Sequence, residues 1–151
     1  MSINGLTVSL AANLRWSFVD DLDLSSTTDS KNLQLLSSKT FGDGVGEANL
    51  VWHDIVSVAS TLDLSALPKS VFGITGTYTF ETLKTVRIRN TGTAAATVTF
   101  ADCGISSPLT LAPGAVVLLD SDTGWEATGS IVLTGNQPIE VVLIGVGTTA
   151  G

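Results

Sequence analysis

Thiols, imidazoles and positive charges are all scarce in this chain. Cys103 is the only cysteine, so no disulfide forms within the chain and no thiolate cluster can bind zinc. His53 is the only histidine, whereas a zinc or acid–base site needs several converging groups. Lysine and arginine number 7 against 14 aspartates and glutamates, a net charge of -7 with a pI near 4.3. Phosphate binding needs a basic field, so the balance argues against nucleic acid as a partner. The longest apolar run, IEVVLIGVG, is too short to cross a bilayer as a helix. The start, MSINGLTVSLAANLRW, has neither a cationic leader nor a long apolar stretch, so a standard secretory signal is not expected. The expectation is a soluble protein made in a cytoplasm, with no membrane partner.

Charge of either sign is also thin. Charged residues make up 14% of the chain, against roughly 25% in ordinary globular domains, and mean hydropathy is +0.40. A surface so poor in charge suits a protein covered by its own copies or by a large assembly. At 151 residues the chain can form one core without staples.

What is abundant is the vocabulary of strands. No segment carries a sustained i, i+3, i+4, i+7 apolar pattern, while short Val, Ile, Leu and Thr runs recur between Gly, Pro, Asn and Asp. Strands are expected at Leu6–Leu10, Leu33–Ser37, Asn49–Ala59, Thr77–Phe80, Thr85–Asn90, Thr97–Phe100, Ser107–Leu111, Ala115–Leu119, Glu126–Leu133, with or without a break, and Ile139–Ile144. Turns fall at NTGT, LAPGA, SDTG and TGNQP, and Pro113-Gly114 suits a type II turn. So many short strands in one domain imply an antiparallel β-sandwich, because an open sheet of that width would expose an apolar face. SFVDDLDLSSTTDSKN is polar and acidic and reads as a connector. Residues 1–38 are therefore expected as an N-terminal strand or arm, and 39–151 as the sandwich. Leu6, Val8 and Leu10 are too apolar for water, so they either pair within the sandwich or join a neighbouring subunit.

Two strands, IEVVLIG and AVVLLD, are apolar at successive positions. They are either central to the sandwich or covered by another subunit, which makes Val141 and Leu143 candidate interface residues. VRIRN alternates instead, with Val86 and Ile88 inward and Arg87 and Arg89 outward. The two arginines form either a solvated face or a ridge that pairs with carboxylates of a neighbour.

The motifs that suggest chemistry each lack a necessary part. Thr40–Asp54, TFGDGVGEANLVWHD, is glycine-rich, but a strand pattern follows it rather than the helix N-terminus of a phosphate loop. Asp43-Gly44 reads as a two-residue turn. Cys103 and His53 show no spacing that implies a thiol dyad. Asp122-Thr123-Gly124 matches the aspartic-protease triplet, yet bulky Trp125 follows it and no room remains for a flap. Asp120, Asp122, Gly124 and Glu126 form a partial calcium loop without the distant bidentate glutamate. No catalytic, metal or cofactor residue is therefore assigned. Among the tryptophans Trp16, Trp52 and Trp125, Trp52 reads as core, and Trp125, beside a turn, is the exposed candidate for stacking on a sugar.

In order along the chain, TFGDGVGEANLVWHD, TLDLSALPKSVFG, YTFETLKTVRIRNTG, LAPGAVVLLDSDTGWEATG and VVLIGVG resemble a family of small virion proteins of tailed bacteriophages. The resemblance spans about residues 40 to 147. It rests on the order of a glycine turn opening a long strand, a Leu-Asp-Leu segment, an alternating strand ending in Asn, and a Pro-Gly turn before the last strands. It implies a jelly-roll-like sandwich of the head decoration, or cement, type. It also implies a non-enzymatic role, without cofactors, on the outside of a phage head. The expected partners are the chain itself, as a homotrimer, and the major capsid protein or another virion protein. The expected location is the virion, after synthesis in the host cytoplasm. The alternatives are a tail- or fibre-associated host-contact module and a carbohydrate-binding sandwich.

Overall fold

The computed structural model describes residues 6–22, 25–41, 47–57, 59–71 and 74–150, with side chains described from residue 47 onward except 58 and 69–74. These residues form eleven strands and no helix. The expected turn at Asp43-Gly44 lies outside the described residues, as does Val58. The chain divides into two compact units, one built on the first two strands and one on the other nine.

The first unit is a hairpin of β1 (Leu6–Leu22) and β2 (Ser25–Phe41), paired without interruption from Leu6↔Phe41 to Leu22↔Ser25. At about 3.4 Å per residue each strand is about 55 Å long. The stretch expected as a connector, SFVDDLDLSSTTDSKN, is thus mostly strand, with Ser17 opposite Ser30 and Val19 opposite Thr28. Polarity misled because it does not fix backbone conformation, and threonine is itself a strand former. Leu6, Val8 and Leu10 pair with Phe41, Lys39 and Ser37, and β1 and β2 form a two-stranded sheet of their own.

The second unit is an antiparallel β-sandwich. One sheet has the order β4 (Ser60–Asp63), β10 (Ser130–Thr134), β7 (Ala96–Ala101), β8 (Leu109–Leu111). The other runs β3 (Leu50–Val56), β11 (Ile139–Ala150), β6 (Ile74–Asn90), β5 (Leu67–Val71), and β9 (Val116–Glu126) also pairs with β6. β5 lies along Ile74–Tyr78 of β6 and β9 along Thr82–Arg89. The chain switches sheets at β3/β4, β4/β5, β6/β7, β8/β9, β9/β10 and β10/β11, so that both inner faces draw on all parts of the sequence.

Period-two burial builds the core. β7 alternates buried and half-buried residues along its whole length. Val98, Phe100, Ile131, Leu133 and Leu111 face Val86, Ile88, Val141, Leu143 and Trp52 of the opposite sheet, all of them buried. Val141 and Leu143, expected as interface candidates, have no exposed area at all. The reason is the position of β11 between β3 and β6, the first of the two alternatives for a strand apolar at successive positions. The turn at Pro113-Gly114 forms as expected: Ala115 N–H donates to the Ala112 carbonyl at 3.0 Å, and Gly114 takes φ of 76°.

Several boundaries differ from the sequence reading. Asn49–Ala59 ends as a strand at Val56, and a separate strand β4 follows. β5 was not foreseen, since Pro68 within it argues against a central strand and in fact it lies at the sheet edge. Thr77–Phe80 and Thr85–Asn90 are parts of one strand, β6. SDTG is not a hairpin turn but an irregularity inside β9, where the register slips between Leu83 and Thr85 and Gly124 takes φ of 84°.

Candidate functional site

The outer face of the five-stranded sheet is built by strand alternation. Val86 and Ile88 point into the core, so Arg87 and Arg89 point out. Register places His53, Val142, Arg87 and Leu118 in one row across β3, β11, β6 and β9. Ile55, Glu140, Arg89 and Val116 form the next row. Among the residues whose side chains are described, Ile55 and Val116 are the large hydrophobics left exposed, at 53% and 52%. They occupy the two ends of a single row, with charge between them.

Glu140 is the hub of this face. Arg87 Nη1 donates to its Oε2 at 2.7 Å, and His53 Nε2 lies 3.4 Å from its Oε1. Arg87, expected to pair with a neighbour's carboxylate or to stand in solvent, is paired within its own chain. The diagonal step between adjacent strands brings the two residues together. Arg89 is exposed and forms no ion pair with a carboxylate among the described residues.

The Arg87 hydrogen bond holds the Glu140 carboxyl below its ordinary value of 4.5, outweighing partial desolvation, and His53 adds to the effect. A depressed folded-state pKa means that the unfolded chain binds more protons. The pairing therefore stabilises the fold above about pH 4.5 and loses that effect as pH falls through the lower folded value. The group is partly exposed, so screening keeps the effect small. Glu140→Gln is expected to flatten the fall in melting temperature between pH 5 and 3, read by circular dichroism. A fall as steep as that of the wild type would show that the pair contributes nothing.

A second feature is a groove of about 310 Å³ beside β3 and β4, lined by Trp52, Asp54, Val56, Ser60, Thr61 and Asp63 together with the start of β5. Trp52, Asp54 and Val56 alternate on one side of β3, buried, exposed and half-buried in turn, and Asp54 Oδ1 accepts from Ile55 N–H at 2.8 Å. Trp52 is buried, as expected, and its Nε1–H donates to the Pro68 carbonyl at 2.8 Å. Asp63 accepts from Ser65 Oγ at 2.7 Å and Ser65 N–H at 2.9 Å, and these bonds hold its carboxyl below its ordinary value. Asp54 was not singled out from the sequence. The available signal was its place between Trp52 and Val56 in a period-two pattern.

The remaining candidates are dispersed. Cys103 is fully buried, with Sγ 3.1 Å from the Ala101 carbonyl, and burial pushes its thiol pKa up, away from thiolate reactivity. His53 lies on the outer sheet face instead, so the two are not brought together. In the Asp120–Glu126 stretch, Lys84 Nζ donates to the carbonyls of Asp122 at 2.7 Å and Thr123 at 3.1 Å. Asp120 accepts from Thr85 Oγ1 at 2.8 Å. A lysine ammonium thus occupies carbonyls that a calcium loop would turn toward its ion. Among the described residues no group of three or more His, Cys, Asp or Glu is placed to hold a metal. Trp125 is half-buried against the core rather than displayed. The irregular register of β9 turns it inward opposite Leu83.

Comparison with protein-family models, with curated proteins and with solved structures finds no match to this chain.

Proposed function

We propose that the chain is a non-enzymatic structural component of a bacteriophage virion. In this reading it is a decoration or cement protein that binds the outside of the head as a homotrimer, contacts the major capsid protein and uses no cofactor. The observation that carries the reading is the outer face of the five-stranded sheet. Ile55 and Val116, both about half exposed, flank a row that also holds Arg89, which has no ion pair among the described residues. Apolar ends around a charged centre fit a surface made for burial, with the arginine fixing orientation. The low charge content and the resemblance over about residues 40 to 147 support the same reading.

Cosedimentation with heads assembled without this protein tests it. Binding should saturate at a fixed ratio to the major capsid protein, and the double variant Ile55→Asp/Val116→Asp should weaken it about tenfold or more. Heads that bind nothing contradict the proposal.

A second reading, a host-contact or carbohydrate-binding module, draws on the groove beside β3 and β4. Its carboxylates Asp54 and Asp63 can accept paired hydroxyls, and Val56 supplies an apolar wall. Under this reading a glycan array should show binding that Asp54→Ala removes. An array without binding, from protein that binds heads, dismisses it.

A further inference from the structure

We propose that the free edge of β9, from Val116 to Asp120, accepts an extended segment of the capsid partner as an added strand. Of the two strands apolar at successive positions, β11 lies inside its sheet. β9 pairs with β6 alone among the described residues and so stands at the edge. Its stretch Val116–Leu119 is apolar on both faces. Val117 and Leu119 pack half-buried against the core, while Val116 and Leu118 share the outer face with Arg89 and Arg87. An edge with nothing beside it leaves both apolar sides partly wet.

Every other edge of the sandwich carries a feature that discourages pairing. The outer strands of the four-stranded sheet, β4 and β8, have four and three residues. β5 contains Pro68 and Lys69. At β3 the Ile55 N–H already donates to the Asp54 carboxylate at 2.8 Å. Short strands, proline, lysine and occupied amides are what keep sheet edges from pairing. Val116–Leu119 has no proline, no charge and no register slip, and its ladder with β6 runs regularly from Asp120↔Thr85 to Val116↔Arg89.

The turn before β9 sets the direction of its backbone groups. Asn90 N–H donates to the Ala115 carbonyl at 3.0 Å, so Ala115 faces β6. Residues that bond to one neighbour alternate along an antiparallel ladder. Val117 and Leu119 therefore face β6, and Val116, Leu118 and Asp120 turn N–H and C=O away from it. A strand laid against them forms about six backbone hydrogen bonds. Side chains set the chemistry of that strand. Apolar residues on both of its faces cover β9, and a carboxylate opposite Val116 stands about 10 Å, two strand spacings, from the Arg89 backbone, within reach of its side chain. Arg87 is already held by Glu140, whereas Arg89 is exposed and has no ion pair among the described residues. The edge also continues the outer-face row that ends in Val116. A second copy of β9 would pair about a twofold axis, which a cyclic threefold assembly does not contain. The inference rests on the proposed head-decoration role and names a contact for it.

Cosedimentation of the full chain with heads assembled without it tests the inference through Leu118→Pro. Proline deletes an N–H that points away from β6 and leaves the ladder with β6 its donors, so the melting temperature should stay within a few degrees of the wild type. Binding to heads should weaken about tenfold or more, and Leu118→Ala, which keeps the N–H, should weaken it less. Heads that bind Leu118→Pro as tightly as Leu118→Ala remove this inference alone, and heads that bind no wild-type protein remove the decoration reading with it. Should Leu118→Pro not fold, hydrogen exchange of the wild type on heads decides. Amides of Val116–Asp120 should slow about tenfold or more while those of Val51 and His53 on β3 stay unchanged. Slowing at neither edge, or at both alike, overturns the inference. A wild-type dimer that Leu118→Pro turns into a monomer gives the edge to a second copy and overturns it as well.

Discussion

Asn90→Ala is expected to destabilise the sandwich by about 3 kcal/mol. Asn90 is fully buried at the end of β6. Its Nδ2 donates to the carbonyls of Ala94 at 2.8 Å and Leu111 at 2.9 Å, and its Oδ1 accepts from Gly92 N–H at 2.9 Å. Its backbone N–H donates to the Ala115 carbonyl, and its carbonyl accepts from Gly114 N–H. One residue thus ties the turn after β6, the end of β8 and the Pro-Gly turn together. Alanine removes the three side-chain bonds and leaves two carbonyls and an N–H without their partner, each costing about 1 kcal/mol or more in a dry site. For a sandwich of this size the loss corresponds to a melting temperature lower by about 10 °C. Asn90→Asp should be worse than alanine, because a carboxylate cannot donate to the two carbonyls and brings a charge into the core. Urea unfolding monitored by tryptophan fluorescence gives the value. A loss below about 1 kcal/mol would show that water replaces the side chain, contrary to expectation.

Gly145→Ala and Gly147→Ala should each cost about 3 kcal/mol, and the double variant should not fold. β11 slips its register against β6 between Ile144 and Gly145 and again between Val146 and Gly147. At these bulges the two backbones approach too closely for a side chain. A Cβ on Gly145 would overlap the Thr82 carbonyl oxygen, and one on Gly147 would overlap that of Thr79. The obstacles are backbone atoms of a paired strand, so relief requires the ladder itself to shift. Asn49 adds to the constraint, donating to the Gly147 carbonyl and accepting its N–H, both at 3.0 Å. Soluble yield and thermal melts of the single variants test this. Alanine variants with wild-type melting temperatures would contradict the bulge geometry.

Local pattern was legible in the sequence, and long-range register was not. The alternation of Val86 and Ile88 with Arg87 and Arg89 shows in the structure as inward and outward positions, because the period of a strand is set by the backbone alone. Pro113-Gly114 was legible for a similar reason, since one residue fixes φ and the next permits a positive φ. The cluster of His53, Glu140 and Arg87 was not legible, because it joins three strands whose order follows from crossovers between sheets. Asp54 is exposed, as a carboxylate on a strand is expected to be, and only its sharing a side of β3 with Trp52 and Val56 places it at the groove. The hairpin was not legible because Ser, Thr and Asp are enriched in turns and yet also occur in an uninterrupted ladder. Only the pairing from Leu6↔Phe41 to Leu22↔Ser25 tells the two apart.

Electron cryomicroscopy of phage particles that contain this chain is the most direct measurement of its proposed role. The expected result is density for the sandwich in groups of three on the outer surface of the head, with the sheet face bearing Ile55, Arg89 and Val116 turned toward the capsid. Particles in which the chain is found on the tail, or inside the head, would contradict a role as head decoration.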